Sequence, residues 1–239
     1  HNIQSYYSDI LANKGKLLEL KLFSTFNSPT VNTINTAAGE GHVHILQWGK
    51  DKYKLVPDTT GANWSAQQGK LNVLKWLKEN KLPLPNTQGA NYAAYNGHLD
   101  LLVWMKENEC SLPGTSGANM AAKNGYLNVL QWMKENNLEL TDSYGADEAA
   151  ENGRLDILKW MKENNLPMPT RYGANQAAKY DQLDCLEWLY ENNLTLPDQE
   201  GRYEAYLAGH DEMVPRLRRT AHRVDGASPL PCARQTLFL

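Results

Sequence analysis

Residues 89–108 read GANYAAYNGHLDLLVWMKEN, and the chain repeats that stretch twice more at a fixed interval. Residues 117–136 read GANMAAKNGYLNVLQWMKEN, and residues 145–164 read GADEAAENGRLDILKWMKEN, each 28 residues further on. Self-similarity at a period of this size marks an array of stacked units, in which each unit buries its apolar face only against its neighbours. Function in such a chain belongs to a stacked surface rather than to one closed pocket.

The central glycine of each unit sets the register. It recurs as Gly15, Gly41, Gly69, Gly97, Gly125, Gly153 and Gly209, with Asp181 in the seventh place. The first interval is 26 residues and the others are 28. Eight units are therefore expected over residues 1–215, with degenerate first and last members, because a terminal unit presents one face to water. Two helical patterns flank each glycine. The first is the segment before it, as in Asn91 to Asn96, with a recurring Ala-Ala pair (Ala93 and Ala94) that lets neighbouring helices approach closely. The second runs from Leu99 to Glu107, with Leu99, Leu101, Leu102, Trp104 and Met105 forming a helical apolar stripe. The glycine suits the end of the first helix, since it takes positive φ without strain. Asn80, Asn108, Asn136, Asn164 and Asn192 are expected to do the same for the second helix. An L-x-L-P linker follows (Leu82, Leu84, Pro85), whose proline forbids helix continuation.

Gln88 to Met105 resembles the T-P-L-H-x-A-A-x-x-G-H pattern of ankyrin repeats, and the likeness runs through the chain to about Val214. The unit is 28 residues rather than 33, and Gln88-Gly89-Ala90-Asn91 replaces the T-P-L-H box. The missing residues fall where ankyrin repeats extend a β-hairpin. The resemblance implies an all-α, ankyrin-like α-solenoid of stacked helix-turn-helix units, with short loops in place of the hairpins.

Composition excludes several functions. A net charge of −3 does not by itself select a polyionic partner. Cys110, Cys185 and Cys232 are odd in number and form no C-x-x-C pair, so they read as free thiols in a reducing, intracellular compartment, cytoplasm or nucleus. No apolar run approaches the roughly 20 residues of a membrane helix. The chain opens on His1 rather than methionine, as expected of a fragment or processed product. No phosphate loop, H-E-x-x-H or nucleophile elbow occurs, so neither an enzyme nor a cofactor is expected. His42, His98 and His210 each follow a glycine but lie a repeat or more apart, which argues against a metal site.

Several columns run through the array. Trp48, Trp76, Trp104, Trp132, Trp160 and Trp188, opened by Leu22, sit on the apolar stripe and read as core rather than as a stacking platform. Asn35, Asn63, Asn91, Asn119, Asp147 and Asn175 are expected to tie down backbone groups of a neighbouring loop. The Lys-Glu-Asn triplets, such as 78–80, read as solvated faces.

The variable column precedes the Ala-Ala pair: Thr36, Trp64, Tyr92, Met120, Glu148, Gln176, Glu204. The resemblance places it on the concave groove. Trp64, Tyr92, Tyr95 and Met120 are the expected apolar anchors for an unidentified protein partner, Glu148 and Glu151 an acidic flank, and Tyr144 and Tyr172 neighbouring loop contacts. The chain is expected to act as a monomeric, non-enzymatic interaction scaffold. Residues 216–239 differ in character: they hold five of the chain's eight arginines and neither lysine nor asparagine. Two alternatives follow. The Arg-rich tail could contact nucleic acid or act as a nuclear address, or the array could select substrates for an enzyme complex such as a ubiquitin ligase.

Overall fold

The computed structural model describes residues 3–25 and 27–210; the Arg-rich tail assigned to residues 216–239, and the second helix expected to close the last repeat before it, lie outside them. All regular structure among the described residues is α-helical. The helices are α1 (Ile3–Asn13), α2 (Leu17–Phe23), α3 (Val31–Gly39), α4 (Val43–Tyr53), α5 (Thr59–Gln67), α6 (Leu71–Glu79), α7 (Thr87–Tyr95), α8 (Leu99–Glu107), α9 (Thr115–Asn124), α10 (Leu127–Glu135), α11 (Ser143–Glu151), α12 (Leu155–Glu163), α13 (Arg171–Lys179), α14 (Leu183–Glu191) and α15 (Gln199–Leu207). They pair as first and second helices of successive repeats. The chain divides into two compact units, one ending at Gly145 and one beginning at Ala146. In the first, α1, α3, α5, α7 and α9 pack side by side in one layer, and α4 and α6 lie beside each other behind it. In the second, α13 packs on α15 and α12 on α14.

The core follows the repeat. Ala90, Ala93 and Ala94 of α7 and Leu101, Leu102 and Met105 of α8 are buried, as are their counterparts in the other complete repeats. One repeat moves the volume instead. Gly49 stands where Met105 and Leu77 stand elsewhere, and Ile34 of α3, fully buried where other repeats have alanine, fills the space. The tryptophans form an outer seam of this core: Trp76 and Trp160 are buried and the other four half-buried. Leu22, expected to open the column, is exposed.

The first helices begin earlier than the sequence pattern indicates. Helix α7 starts at Thr87, not near Asn91, because Asn86 caps it, its Oδ1 accepting from the N–H groups of Gln88 (3.0 Å) and Gly89 (3.4 Å). Asp58, Asp142, Thr170 and Asp198 cap the equivalent helices. Gly114 has no side chain to do so, and Glu139 of the next loop supplies the acceptor, taking the Thr115 N–H at 3.1 Å and its hydroxyl at 3.0 Å.

These caps are also where the asparagine column reaches. Asn91 Oδ1 accepts the N–H of Gly114 at 3.1 Å, and Asn35, Asn63, Asn119 and Asn175 take the N–H of Asp58, Asn86, Asp142 and Asp198 at the same distance. Asp147 takes the Thr170 N–H at 2.6 Å and its hydroxyl at 2.8 Å. Each carboxamide passes over the glycine inside the next first helix. A Cβ on Gly89 would lie 2.5 Å from Asn63 Oδ1, and one on Gly117 2.6 Å from Asn91 Oδ1. Gly61, Gly145, Gly173 and Gly201 are hemmed in the same way. These glycines serve close approach, not backbone freedom.

Freedom matters at the helix ends. Both helices of a repeat close in the Schellman pattern: His98 N–H to Ala93 O (3.0 Å) with Gly97 N–H to Ala94 O (3.1 Å), and Cys110 N–H to Met105 O (2.9 Å) with Glu109 N–H to Lys106 O (3.2 Å). Gly97 takes the left-handed conformation at φ 71° as expected. The second helix corrects the sequence reading by one residue. Asn108 has φ −108°, and Glu109 after it carries φ 57°. Asn108 instead folds its Nδ2 back to Trp104 O at 2.6 Å, and its Oδ1 accepts from Lys78 Nζ of the preceding repeat at 2.5 Å. The pairs Lys50–Asn80, Lys106–Asn136 and Lys162–Asn192 repeat this contact. The Lys-Glu-Asn triplets are therefore inter-repeat ties as well as solvated faces.

A glutamate held at positive φ is strained where glycine is not. Glu109→Gly should raise the urea midpoint, a gain of up to about 1 kcal/mol in unfolding free energy. Asn108→Gly should lower it. The reverse order would return the helix end to Asn108.

Candidate functional site

The anchors expected from the variable column stand on three neighbouring first helices of the unit that ends at Gly145. Trp64 lies on α5, Tyr92 and Tyr95 one turn apart on α7, and Met120 on α9. Trp64 is 40% exposed and Tyr95 38%, while Tyr92 and Met120 are half-buried. The Trp64 indole rests on the preceding repeat at Gly39, where an added Cβ would lie 3.2 Å from Trp64 Cβ. Glycine at that position leaves a flat shelf for the ring.

Two asparagines that the sequence reading did not single out lock these helices at the level of the patch. Asn96 Nδ2 donates to Gln67 O at the end of α5 (2.9 Å) and to Tyr92 O (3.1 Å). Asn124 Nδ2 donates to Tyr95 O at the end of α7 (3.1 Å) and to Met120 O (3.2 Å). His98 adds a ring contact from Nε2 to Gln67 O at 3.0 Å, donating in the tautomer protonated there. The carbonyls behind the aromatic side chains are thus satisfied internally, and the patch is held by fixed backbone. The signal was present as the Asn of each Asn-Gly step before the central glycine.

The remaining expected contacts are placed separately. Tyr144 is 60% exposed in the first turn of α11 and belongs to the first unit. Glu148, Glu151 and Tyr172 belong to the second, the two glutamates half-buried on α11 and the tyrosine exposed at the start of α13. Asn152 Nδ2 donates to Glu148 O at 2.8 Å, as Asn96 does to Tyr92 O within its own helix.

The chemistry around these residues is that of a surface. Two hollows among the described residues are open to solvent: one by Asp198, Gln199, Glu200 and Tyr203, another along Gly69, Gly97, His98 and Asn128. No three His, Cys, Asp or Glu side chains converge as a metal site among the described residues. No helix among them is long and apolar enough to cross a membrane. Burial, with Asp184 and Asp156 beside it, pushes the Cys185 thiol up to about 12. Burial also raises Cys110, partly offset by Lys78. Neither is activated as a nucleophile. Partial burial pushes the Asp58 carboxyl up, but hydrogen bonds from the Thr60 N–H, the Asn35 amide and the Gly61 N–H outweigh it and hold it below the ordinary carboxylate value. This carboxylate caps the helix that carries Trp64.

No family model matches the chain, and no curated protein matches it. Among solved structures, the human ASB11 ankyrin repeat domain superposes with a TM-score of 0.50 at 16% identity, over 84% of this chain and 96% of that one. The maize pentatricopeptide repeat protein PPR10 gives 0.48 at 17% identity, over 92% of this chain and 38% of that one, too loose to assign a fold. The fold is that of an ankyrin-type helical repeat array.

A carboxylate held below its ordinary value contributes stability above the unfolded value of about 4 and loses it as pH falls through the folded one. The urea midpoint of the natural chain should therefore drop between about pH 6 and about pH 3, and Asp58→Asn should shrink that drop. An equal drop in both would remove Asp58 from the acid response.

Proposed function

We propose that the chain is a non-enzymatic scaffold that binds a protein partner on its first-helix face, the face that is concave in ankyrin-type arrays. Trp64, Tyr92, Tyr95 and Met120 are its apolar anchors in the first unit. Tyr144 is a neighbouring contact there, and Glu148, Glu151 and Tyr172 are the contacts of the second unit. The observation that supports this reading is the exposure of Trp64 and Tyr95 on helices whose backbone is already tied together by Asn96 and Asn124. Large aromatics on rigid backbone lose little freedom on binding and bury much area, the pattern of interface hot spots. The variable column changes from Trp64, Tyr92 and Met120 to Glu148, Gln176 and Glu204 within otherwise repeated sequence, as selection for a shaped partner would leave it. A standard interface needs roughly 800 Å² per partner, which several adjacent first helices can supply.

The test is affinity capture from lysate with the full chain and with Trp64→Ala/Tyr95→Ala. The double variant should lose the captured protein while its unfolding free energy changes by less than about 1 kcal/mol, as for surface positions. Retained capture would move the site elsewhere, and a much larger loss of stability would make the pair seam residues.

A further inference from the structure

The first helices of the first unit are almost free of charge. α3, α5, α7 and α9 together hold one charged side chain, Lys123, whereas each of α4, α6, α8 and α10 holds two or three. Burial does not account for the difference. Asn32, Thr59, Thr60, Thr87, Gln88 and Ser116 are exposed on these first helices, where a charge would stay hydrated, and none is charged. First helices of the second unit do carry exposed charge, at Arg171 of α13 and at Glu200 and Arg202 of α15.

What the uncharged face offers instead is hydrogen-bond donors beside aromatic rings. In the seam, the Trp76 indole donates from Nε1 to Gln47 Oε1 at 3.0 Å. The Trp64 Nε1–H, the Tyr95 hydroxyl and the Gln88 amide belong to exposed residues and meet no acceptor among the described residues. No ring contact joins Trp64, Tyr92 and Tyr95. α5, α7 and α9 pack side by side, so the apolar anchors recur one helix spacing apart, about 8–10 Å.

A segment that matches this face carries no charge, brings more acceptors than donors and repeats at that spacing. A charged side chain placed here would leave water without a counter-charge to meet it. A bound α-helix already uses its carbonyls on its own backbone. A proline-rich segment in the polyproline II conformation has no internal hydrogen bonds, lacks the proline N–H, and advances about 9 Å per turn of three residues. We propose that the occupant of the Trp64–Tyr95 face is such a proline-rich segment of the partner. The inference rests on the scaffold reading above and names the chemistry of its partner. Prolines of successive turns pack against Trp64 on α5 and Tyr92 and Tyr95 on α7, and Met120 extends the track on α9. The Trp64 N–H and the Tyr95 hydroxyl donate to the carbonyls between them, as in other aromatic-lined polyproline grooves. A stiff segment on backbone fixed by Asn96 and Asn124 loses little freedom on binding.

The probe is acetyl-decaproline amide, an uncharged polyproline II peptide, titrated calorimetrically into the full chain at about 50 and about 500 mM salt. Binding should be saturable, with a Kd that differs less than about twofold between the two salts, because no ion pair forms. Trp64→Ala/Tyr95→Ala should weaken it by about tenfold or more. Tyr95→Phe keeps the ring, removes the donor and should weaken it several-fold. Absence of binding, or binding that neither variant weakens, overturns the inference, as does an affinity that falls steeply with salt. If lysate capture still depends on Trp64 and Tyr95 while decaproline does not bind, the scaffold reading stands and its partner has another chemistry. If both fail, the scaffold reading falls with it.

Discussion

A carboxamide lying where the next helix has no Cβ holds this array in register. In six successive repeats the asparagine or aspartate of the column crosses the glycine of the following first helix and accepts the N–H of its capping residue. That single contact satisfies a donor left over at a helix start, sets how closely two first helices approach, and fixes which residue begins the next helix. It also explains how the loops can be so short. With no β-hairpin to pair the connecting backbone, the loop's polar groups need partners, and Asn35, Asn63, Asn91, Asn119, Asp147 and Asn175 provide them.

The contact leaves a covariation inside one chain. Where the column holds Asn, the capping position can hold Asp, as in Asn35–Asp58, Asn119–Asp142 and Asn175–Asp198, because the amide Nδ2 donates to the carboxylate at 2.9–3.1 Å. Where it holds Asp147, the cap is Thr170, whose hydroxyl donates instead. Two facing carboxylates would repel. One repeat before the first asparagine the contact takes another form: Asp9 accepts from the hydroxyl of Thr33, which stands in the glycine's place, at 2.8 Å.

Much of the architecture was legible in the sequence for a physical reason: period and apolar stripe are read along the chain, and so are the left-handed glycines. The two-helix unit, the glycine stop at Gly97 and the role of the asparagine column follow from those signals. What was missed requires comparing positions across repeats. Asn86 as a cap and Glu139 standing in for the bare Gly114 fall in this class, as do the ties from Lys78 to Asn108. The shift from Asn108 to Glu109 at positive φ was hidden because asparagine is the common choice there, while here its amide serves Trp104. The candidate site was half legible. The variable column named Trp64, Tyr92 and Met120, but the shelf at Gly39 and the clamps from Asn96 and Asn124 appear only when two repeats are set against each other. By spending asparagines and glycines on register, the fold leaves the residues before the Ala-Ala pair free to vary, which is where a recognition surface can differ from one array to another.

The most direct measurement is a double-mutant cycle at one register contact. For Gly61, the three atoms nearest an added Cβ all belong to Asn35. Urea unfolding of Gly61→Ala, Asn35→Ala and the double variant gives their coupling. If the carboxamide occupies the glycine's space, Gly61→Ala costs about 1–3 kcal/mol in the natural chain and at least about 1 kcal/mol less once Asn35 is alanine. Effects that add to within about 0.5 kcal/mol would mean that the two residues do not share a contact, and the register would have to be set elsewhere.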